Sequence, residues 1–435
     1  MVQSVRVVLD GLSGADGPVG PVGPVGTVGT VGPARPDAGG RRVGRPSADG
    51  AAATLLVVEA GRTRLDSLTG LRAMAALVVF LSHVRWLIPN EELFRIAGRE
   101  INVRFVMQQG NVGVSFFFML SGFVLAWSAR PGDRPGPFWG RRFARIYPLH
   151  LTTWAGFLAL SAAGLLYARQ PPAGAIVASL FLVQDWIPVE RIYYGVNPPA
   201  WSLSCELFFY ALFPILLPRV QRLRSAHLGR AVGVLAAAAI VVPGVLFALD
   251  GTLGGDTAYW LSYVFPPTRL IEFVLGMVLG VAVARGRWLG LAQWWPGLLA
   301  LLAYLVAGRT PRILLAVAVT VIPFVFVLVA AAGADLSGRR SIWRSRVMVH
   351  LGEVSFAFYL VQFLVIDVIR ASYPDGAPTV AGGVGLAAVA FVVSLTAAEL
   401  LRAGVERPAE RYLRRRLGGT REPRANERLP APAGG

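Results

Sequence analysis

The sequence predicts an all-α, polytopic membrane protein of about ten spanning helices, with a short re-entrant or interfacial segment and disordered ends. Three observations predict it. The 435 residues are 54% hydrophobic and only 15% charged, where a soluble domain carries about a quarter charged residues. The apolar residues gather into blocks of about 18–22, long enough to cross ~30 Å of hydrocarbon at ~1.5 Å per residue. The 42 cationic residues, every one an arginine, gather mainly in alternate connections between those blocks and in the two tails.

The blocks run near 71–88, 110–128, 147–168, 200–218, 231–249, 267–284, 291–307, 313–332, 351–370 and 381–402. An eleventh, 173–186, is short for a crossing and ends in Gln184, Asp185 and Trp186. Arginine placement decides between the two topologies. With ten crossings, the arginine-rich connections 129–146, 219–230, 285–290 and 333–350 share one side with both termini, and 250–266 on the other side has no arginine. A crossing at 173–186 would invert every later connection. Cytoplasmic loops collect arginine and lysine, so the pattern predicts a multi-pass plasma (inner) membrane protein with both termini cytoplasmic and 173–186 re-entrant or interfacial.

Residues 1–64 stand apart. GPVGPVGPVGTVGTVGP at 17–33 is low-complexity, and no apolar run with a small-residue cleavage site marks a signal peptide. This stretch buries too little apolar surface to offset chain entropy and is expected to be disordered. A second polar tail is expected over 414–435, leaving 65–413 as the membrane domain.

Several function classes are excluded. The net charge of +17 is topological on this reading. No basic patch interleaved with stacking aromatics supports nucleic-acid binding. Cys205 is the single cysteine and the four histidines lie far apart, so neither a disulfide nor a metal site is expected. No P-loop, dinucleotide fingerprint or GxSxG elbow is present.

Ionisable groups inside spans are costly and mark function by default. The first span holds Arg72 and His83, eleven residues apart. Both side chains share one helix face, with an axial separation of about 16 Å. Asp66 or Ser67 is placed to cap this helix. Glu206, in NPPAWSLSCELFFYALFP, lies about 9 Å into the membrane if its span starts near 200 at the outer surface. That depth is close to that of His83, and a carboxylate there could orient the imidazole. Arg142 and Arg145 lie on the edge where Arg72 emerges, and several guanidiniums at one mouth suit phosphates. In the second span Gly110, Gly113, Ser115, Ser121 and Gly122 permit close helix approach, or that of a thin ligand. Arg269 and Glu272 are placed to pair structurally. Glu353 is a further charged candidate, His150 is expected to be interfacial, and no role falls to His227 or His350.

Taken in order, LDSLTGLRAMAALVVFLSH, GVSFFFMLSGFVLAW, RRFARIYPLH, NPPAWSLSCELFFYALFP, LGEVSFAFYLVQ and ERPAERYL resemble the integral-membrane acyltransferase 3 family, over roughly 64–415. The resemblance implies transfer of an acyl group from cytoplasmic acyl-CoA, commonly acetyl-CoA, to a hydroxyl of a sugar, glycan, lipid-linked saccharide or macrolide. It maps the family's arginine–ten residues–histidine motif onto Arg72 and His83, and its arginine–two residues–arginine motif onto Arg142 and Arg145. Its aromatic–Ser–Gly block falls on Phe116, Phe117, Ser121 and Gly122, and its acidic position on Glu206. Gln362 stands where many members have histidine and is given no proton-transfer role. No fused hydrolase-like domain is expected after the last span.

On this resemblance the acyl-CoA phosphates dock at Arg72, Arg142 and Arg145, with Ser121 and Gly122 against the donor. His83 is the general base, oriented by Glu206. The alternative is a membrane carrier of a glycan or lipid-linked intermediate, which suits buried charges but has no need of an arginine cluster in line with a deep histidine.

Overall fold

The computed structural model describes residues 63–88, 94–96, 99–101, 107–129, 132–167, 170–288, 290–292, 294–309, 313–377 and 379–417. Of the tails expected over 1–64 and 414–435, residues 1–62 and 418–435 lie outside the described residues. The long helices are α1 (Asp66–Val84), α2 (Gly110–Ser128), α3 (Pro135–Ala162), α4 (Ala173–Leu180), α5 (Trp201–Gln221), α6 (Ser225–Ala248), α7 (Pro266–Ala284), α8 (Trp294–Ala307), α9 (Ile313–Leu336), α10 (Arg346–Ser372), α11 (Val380–Leu401) and α12 (Arg407–Leu417). A two-stranded antiparallel hairpin, β1 (Phe94–Ile96) and β2 (Arg99–Ile101), with Phe94 opposite Ile101, lies in the α1–α2 connection. The sequence reading did not anticipate it.

Eight of these helices are long and apolar enough to cross a membrane: α1, α2, α5, α6, α7, α9, α10 and α11. Two more of the expected spans are helical but differ in kind. The 28-residue α3 carries Arg141, Arg142 and Arg145 in its first half. The 14 residues of α8 reach about 21 Å, short of a ~30 Å hydrocarbon core.

The eleventh block holds no helix long enough to cross: its α-helical part, α4, has eight residues, a reach of about 12 Å, and Gln184–Trp186 form a single 3-10 turn. Between the two the chain turns through Leu182, at φ 55°, in the left-handed region that side chains other than glycine rarely adopt. Side chains of α3 hold the segment: Tyr147 donates to the Leu180 carbonyl at 2.7 Å and Trp154 to that of Ile176 at 3.2 Å. His150 Nε2 sits 2.9 Å from the Ser179 carbonyl. His150 is thus fully buried rather than interfacial, because α4 folds back over it.

The core is built around α1, α2, α7 and α10, with the most extensive contacts between α2 and α7 and between α1 and α10. Neither Asp66 nor Ser67 caps α1 as expected. Asp66 pairs with Arg64 at 2.7 Å, and Ser67 gives its backbone N–H and its hydroxyl to Asp335 of α9 at 2.8 and 2.7 Å. Those bonds fix the start of α1 to a neighbouring helix. Residues 63 and 64 join this framework: Trp127 donates to the Thr63 carbonyl at 3.2 Å, and Arg64 also binds Glu353. At the other boundary α12 continues to Leu417, past the expected end of the membrane domain at 413.

Candidate active site

The second span buries 15 of its 19 residues, and the cavity that matters lies along one side of it. This cavity has a volume of about 160 Å³ and is lined by Arg72 of α1, Phe117 and Ser121 of α2, Arg142 and Arg145 of α3, Ser202, Glu206 and Tyr210 of α5, and Ser355, Phe356 and Tyr359 of α10. Five helices therefore contribute to one chamber. Three guanidiniums face one carboxylate, leaving net positive charge in a wall of aromatic rings.

Helical spacing explains who faces inward. Arg142 and Arg145, three apart on α3, share a face. Arg141 points elsewhere and pairs with Asp133 at 3.1 Å. Arg145 is braced from behind by the buried Glu406, and its guanidinium carbon lies 5.5 Å from the Phe356 ring centroid. Arg142 lies over Phe138 at 5.8 Å. Such contacts hold long, flexible side chains in place.

On α5, Ser202, Glu206 and Tyr210 repeat every four residues and so form one stripe. Tyr210 donates to Glu206 Oε2 at 3.1 Å, and its hydroxyl lies 3.2 Å from Ser121 Oγ. At the other end of the chamber Ser202 Oγ is 2.9 Å from the Tyr359 hydroxyl, which donates to the Pro199 carbonyl at 3.0 Å. Tyr210, Ser202 and Tyr359 were missed in the sequence. The four-residue repeat about Glu206 was the signal that could have found the first two.

The structure thus brings Arg72, Arg142, Arg145, Ser121 and Glu206 together. It does not place His83 with them. His83 lies beyond the chamber, its ring edge-on to Phe363 at 5.4 Å. Its Nδ1 is buried with no hydrogen-bond partner. Glu206 makes no hydrogen bond to it, so the expected orienting contact is replaced by the Tyr210 bond. Asn197 supplies the reason, donating to the Leu360 carbonyl at 2.9 Å. Leu360 is 14 residues into the 27-residue α10, so α5 begins about 21 Å along that helix, near its middle rather than at its far end. Glu206 is therefore set lower, beside the arginines.

Gly122 does not line the chamber either. A Cβ there would meet the Phe273 carbonyl oxygen at 1.9 Å, so its role is contact between α2 and α7. Arg269 and Glu272 pair at 2.8 Å as expected, with Arg269 also donating to Ser115 Oγ at 2.7 Å. Glu353 is engaged by Arg64 and Arg402. Gln362 is fully buried on α10. No group of three or more metal-ligating side chains occurs among the described residues.

The chain matches known proteins in sequence. The acyltransferase-domain family profile covers residues 65–399. Acyltransferase MdmB of Streptomyces mycarofaciens is 38% identical over 368 residues, spanning 81% of this chain and 93% of its own. Exopolysaccharide production protein ExoZ of Rhizobium meliloti (strain 1021) is 31% identical over 185 residues, or 41% of this chain and 52% of that protein. A putative O-acetyltransferase of Staphylococcus aureus (strain COL) is 22% identical over 355 residues, 72% of this chain and 52% of its own length. No solved structure matches the chain. The chain belongs to the acyltransferase 3 family and is a multi-pass membrane acyltransferase.

Proposed function

We propose that this protein transfers an acyl group, acetyl by first choice, from cytoplasmic acyl-CoA to a hydroxyl of a carbohydrate, glycan or macrolide-type acceptor. The observation that supports this reading is the convergence of Arg72, Arg142 and Arg145 on one chamber, with His83 on the same face of α1 about 16 Å further along. The plasma membrane holds the protein with ten crossings and both termini inside, so the arginine end faces the cytoplasm.

In this reading the guanidiniums take the CoA phosphates. Ser121 and Tyr210 line the path of the pantetheine arm. Glu206 holds Tyr210 and offsets part of the local positive charge; Gly122 lets α2 close against α7 behind the path. At the far end His83 accepts the proton of the acceptor hydroxyl. The hydroxyl oxygen bonds to the thioester carbonyl carbon, the carbon–sulfur bond breaks, and the proton passes to the departing CoA thiolate. No metal takes part.

The test is incubation of the purified full-length protein in proteoliposomes with radiolabelled acetyl-CoA and candidate glycosides. Free CoA and a labelled acceptor are expected. Absence of both across acetyl-, propionyl-, butyryl- and isovaleryl-CoA would reject the reading and favour a carrier. Mass spectrometry of surface glycans and secreted glycosides from a deletion strain identifies the acceptor.

Tyr210→Phe makes a sharper test of the chamber. It removes a hydroxyl that donates to a carboxylate, an interaction worth ~1.5–3 kcal/mol. The KM for acyl-CoA should rise about tenfold or more, with kcat changed much less. An unaltered KM would take Tyr210 out of the donor path.

A further inference from the structure

A second cavity lies on the opposite side of α1 and α2. It measures about 530 Å³ and is lined by α1, α2, α8, α9 and Trp343. Its walls are almost wholly apolar, including Leu71, Val78 and Leu81 of α1, Ala300 of α8 and Phe324 of α9. The acyl-transfer chamber does not reach it. The α1–α2 contact stands between them, tight enough that a Cβ on Gly113 would meet the Ala75 carbonyl oxygen at 2.7 Å. A donor acyl chain in the first chamber therefore has no route here.

Three features define the occupant. The lining runs from Leu71 to Leu81 along α1, about 15 Å, which is half of a ~30 Å hydrocarbon core and so the depth of one leaflet. Water has no polar partners in such a space, whereas a hydrocarbon chain fits it. The third feature is charge. Trp343 closes the end at which α1 begins, its carbonyl packed against Gly70. The segment around it exposes Arg339, Arg340, Arg344 and Arg346. Arg344 reaches Asp335 at 3.3 Å, which leaves an excess of positive charge at that lip.

We propose that this groove is a binding site for an anionic phospholipid. One acyl chain lies between α1, α2 and α8, and the headgroup phosphate rests against Arg340 and Arg346. Basic residues between membrane helices on the cytoplasmic side recognise anionic headgroups in this way. The site is independent of the acyl-transfer reading, because it shares no lining residue with the catalytic chamber.

The experiment uses the full-length protein in detergent and two photoactivatable lipids, phosphatidylglycerol and phosphatidylcholine, each with a diazirine midway along one chain. The phosphatidylglycerol probe is expected to label the 297–304 stretch of α8. Arg340→Glu with Arg346→Glu should lower that labelling at least roughly tenfold, to the phosphatidylcholine level. Ala300→Phe should remove it by filling the groove. Gly297→Leu serves as a second obstruction, since a Cβ there meets no atom within 4 Å. Equal labelling by the two probes, a headgroup preference that survives charge reversal, or labelling that persists in both obstructed variants would overturn the proposal.

Discussion

Replacing His83 with alanine should reduce acyl transfer by about 10²- to 10⁴-fold, the range contributed by a positioned general base, while the protein still folds and still binds acyl-CoA. The prediction rests on separation of duties along α1. Arg72 sits in the chamber with Arg142 and Arg145. His83 lies three turns further along the same helix face, outside that chamber, with a buried and unpartnered Nδ1. A base that acts only on the acceptor should change kcat and leave donor binding alone. Arg72→Ala should do the reverse and raise the KM for acyl-CoA. Thermal unfolding of His83→Ala separates loss of the base from loss of the fold, since the ring also packs edge-on against Phe363. If His83→Ala retains turnover while Glu206→Gln loses it, the proton acceptor lies among the arginines and the assignment to His83 is wrong.

That contingency arises from what the sequence could and could not say. Hydropathy and arginine placement carried the helical architecture, because segment length and loop charge are fixed by the bilayer itself. The eight-residue length of α4 agrees with the reading of 173–186 as a segment that does not cross. Depth was the weak quantity. Glu206 was set level with His83 by assuming that α5 starts at the membrane surface. The stretch that follows α4 sets the start of α5 at Asn197, bonded at Leu360, and no periodicity in α5 encodes that displacement. Azimuth along one helix was more legible than register between helices. Arg72 and His83 share a stripe by arithmetic, as do Ser202, Glu206 and Tyr210. Which neighbour each stripe meets is decided by contacts between distant parts of the chain. Asp335 with Ser67 and Glu406 with Arg145 are examples that no local pattern announces. The small residues of α2 posed the same difficulty. Ser121 and Gly122 are adjacent in one block, yet one lines the chamber and the other meets α7.

Gly122→Ala should be among the most damaging single substitutions outside the site, although it adds one methyl group. In the α2–α7 contact, a Cβ on Gly122 would lie 1.9 Å from the Phe273 carbonyl oxygen, and one on Gly276 would lie 1.9 Å from that of Met119. Both obstructions are backbone atoms, so no side-chain rotation relieves them and one helix must move. Association of membrane helices depends on close packing in place of a hydrophobic driving force. Separating the backbones therefore weakens the contact along its length. Overpacking a tight core costs ~1–3 kcal/mol where side chains can adjust, and this position should lie at or above the upper end. Because α2 carries Phe117 and Ser121 and its partner α7 carries the Arg269–Glu272 pair, the shift should also open the chamber. Gly233→Ala on α6 is the matched control: a Cβ there meets no atom within 4 Å, and replacing glycine by alanine in a helix is favourable by ~0.8–1.0 kcal/mol. Thermal unfolding of the two purified variants should move in opposite directions, with Gly122→Ala also losing acyl-CoA binding. Equal melting temperatures would mean that α2 and α7 do not approach this closely in the membrane.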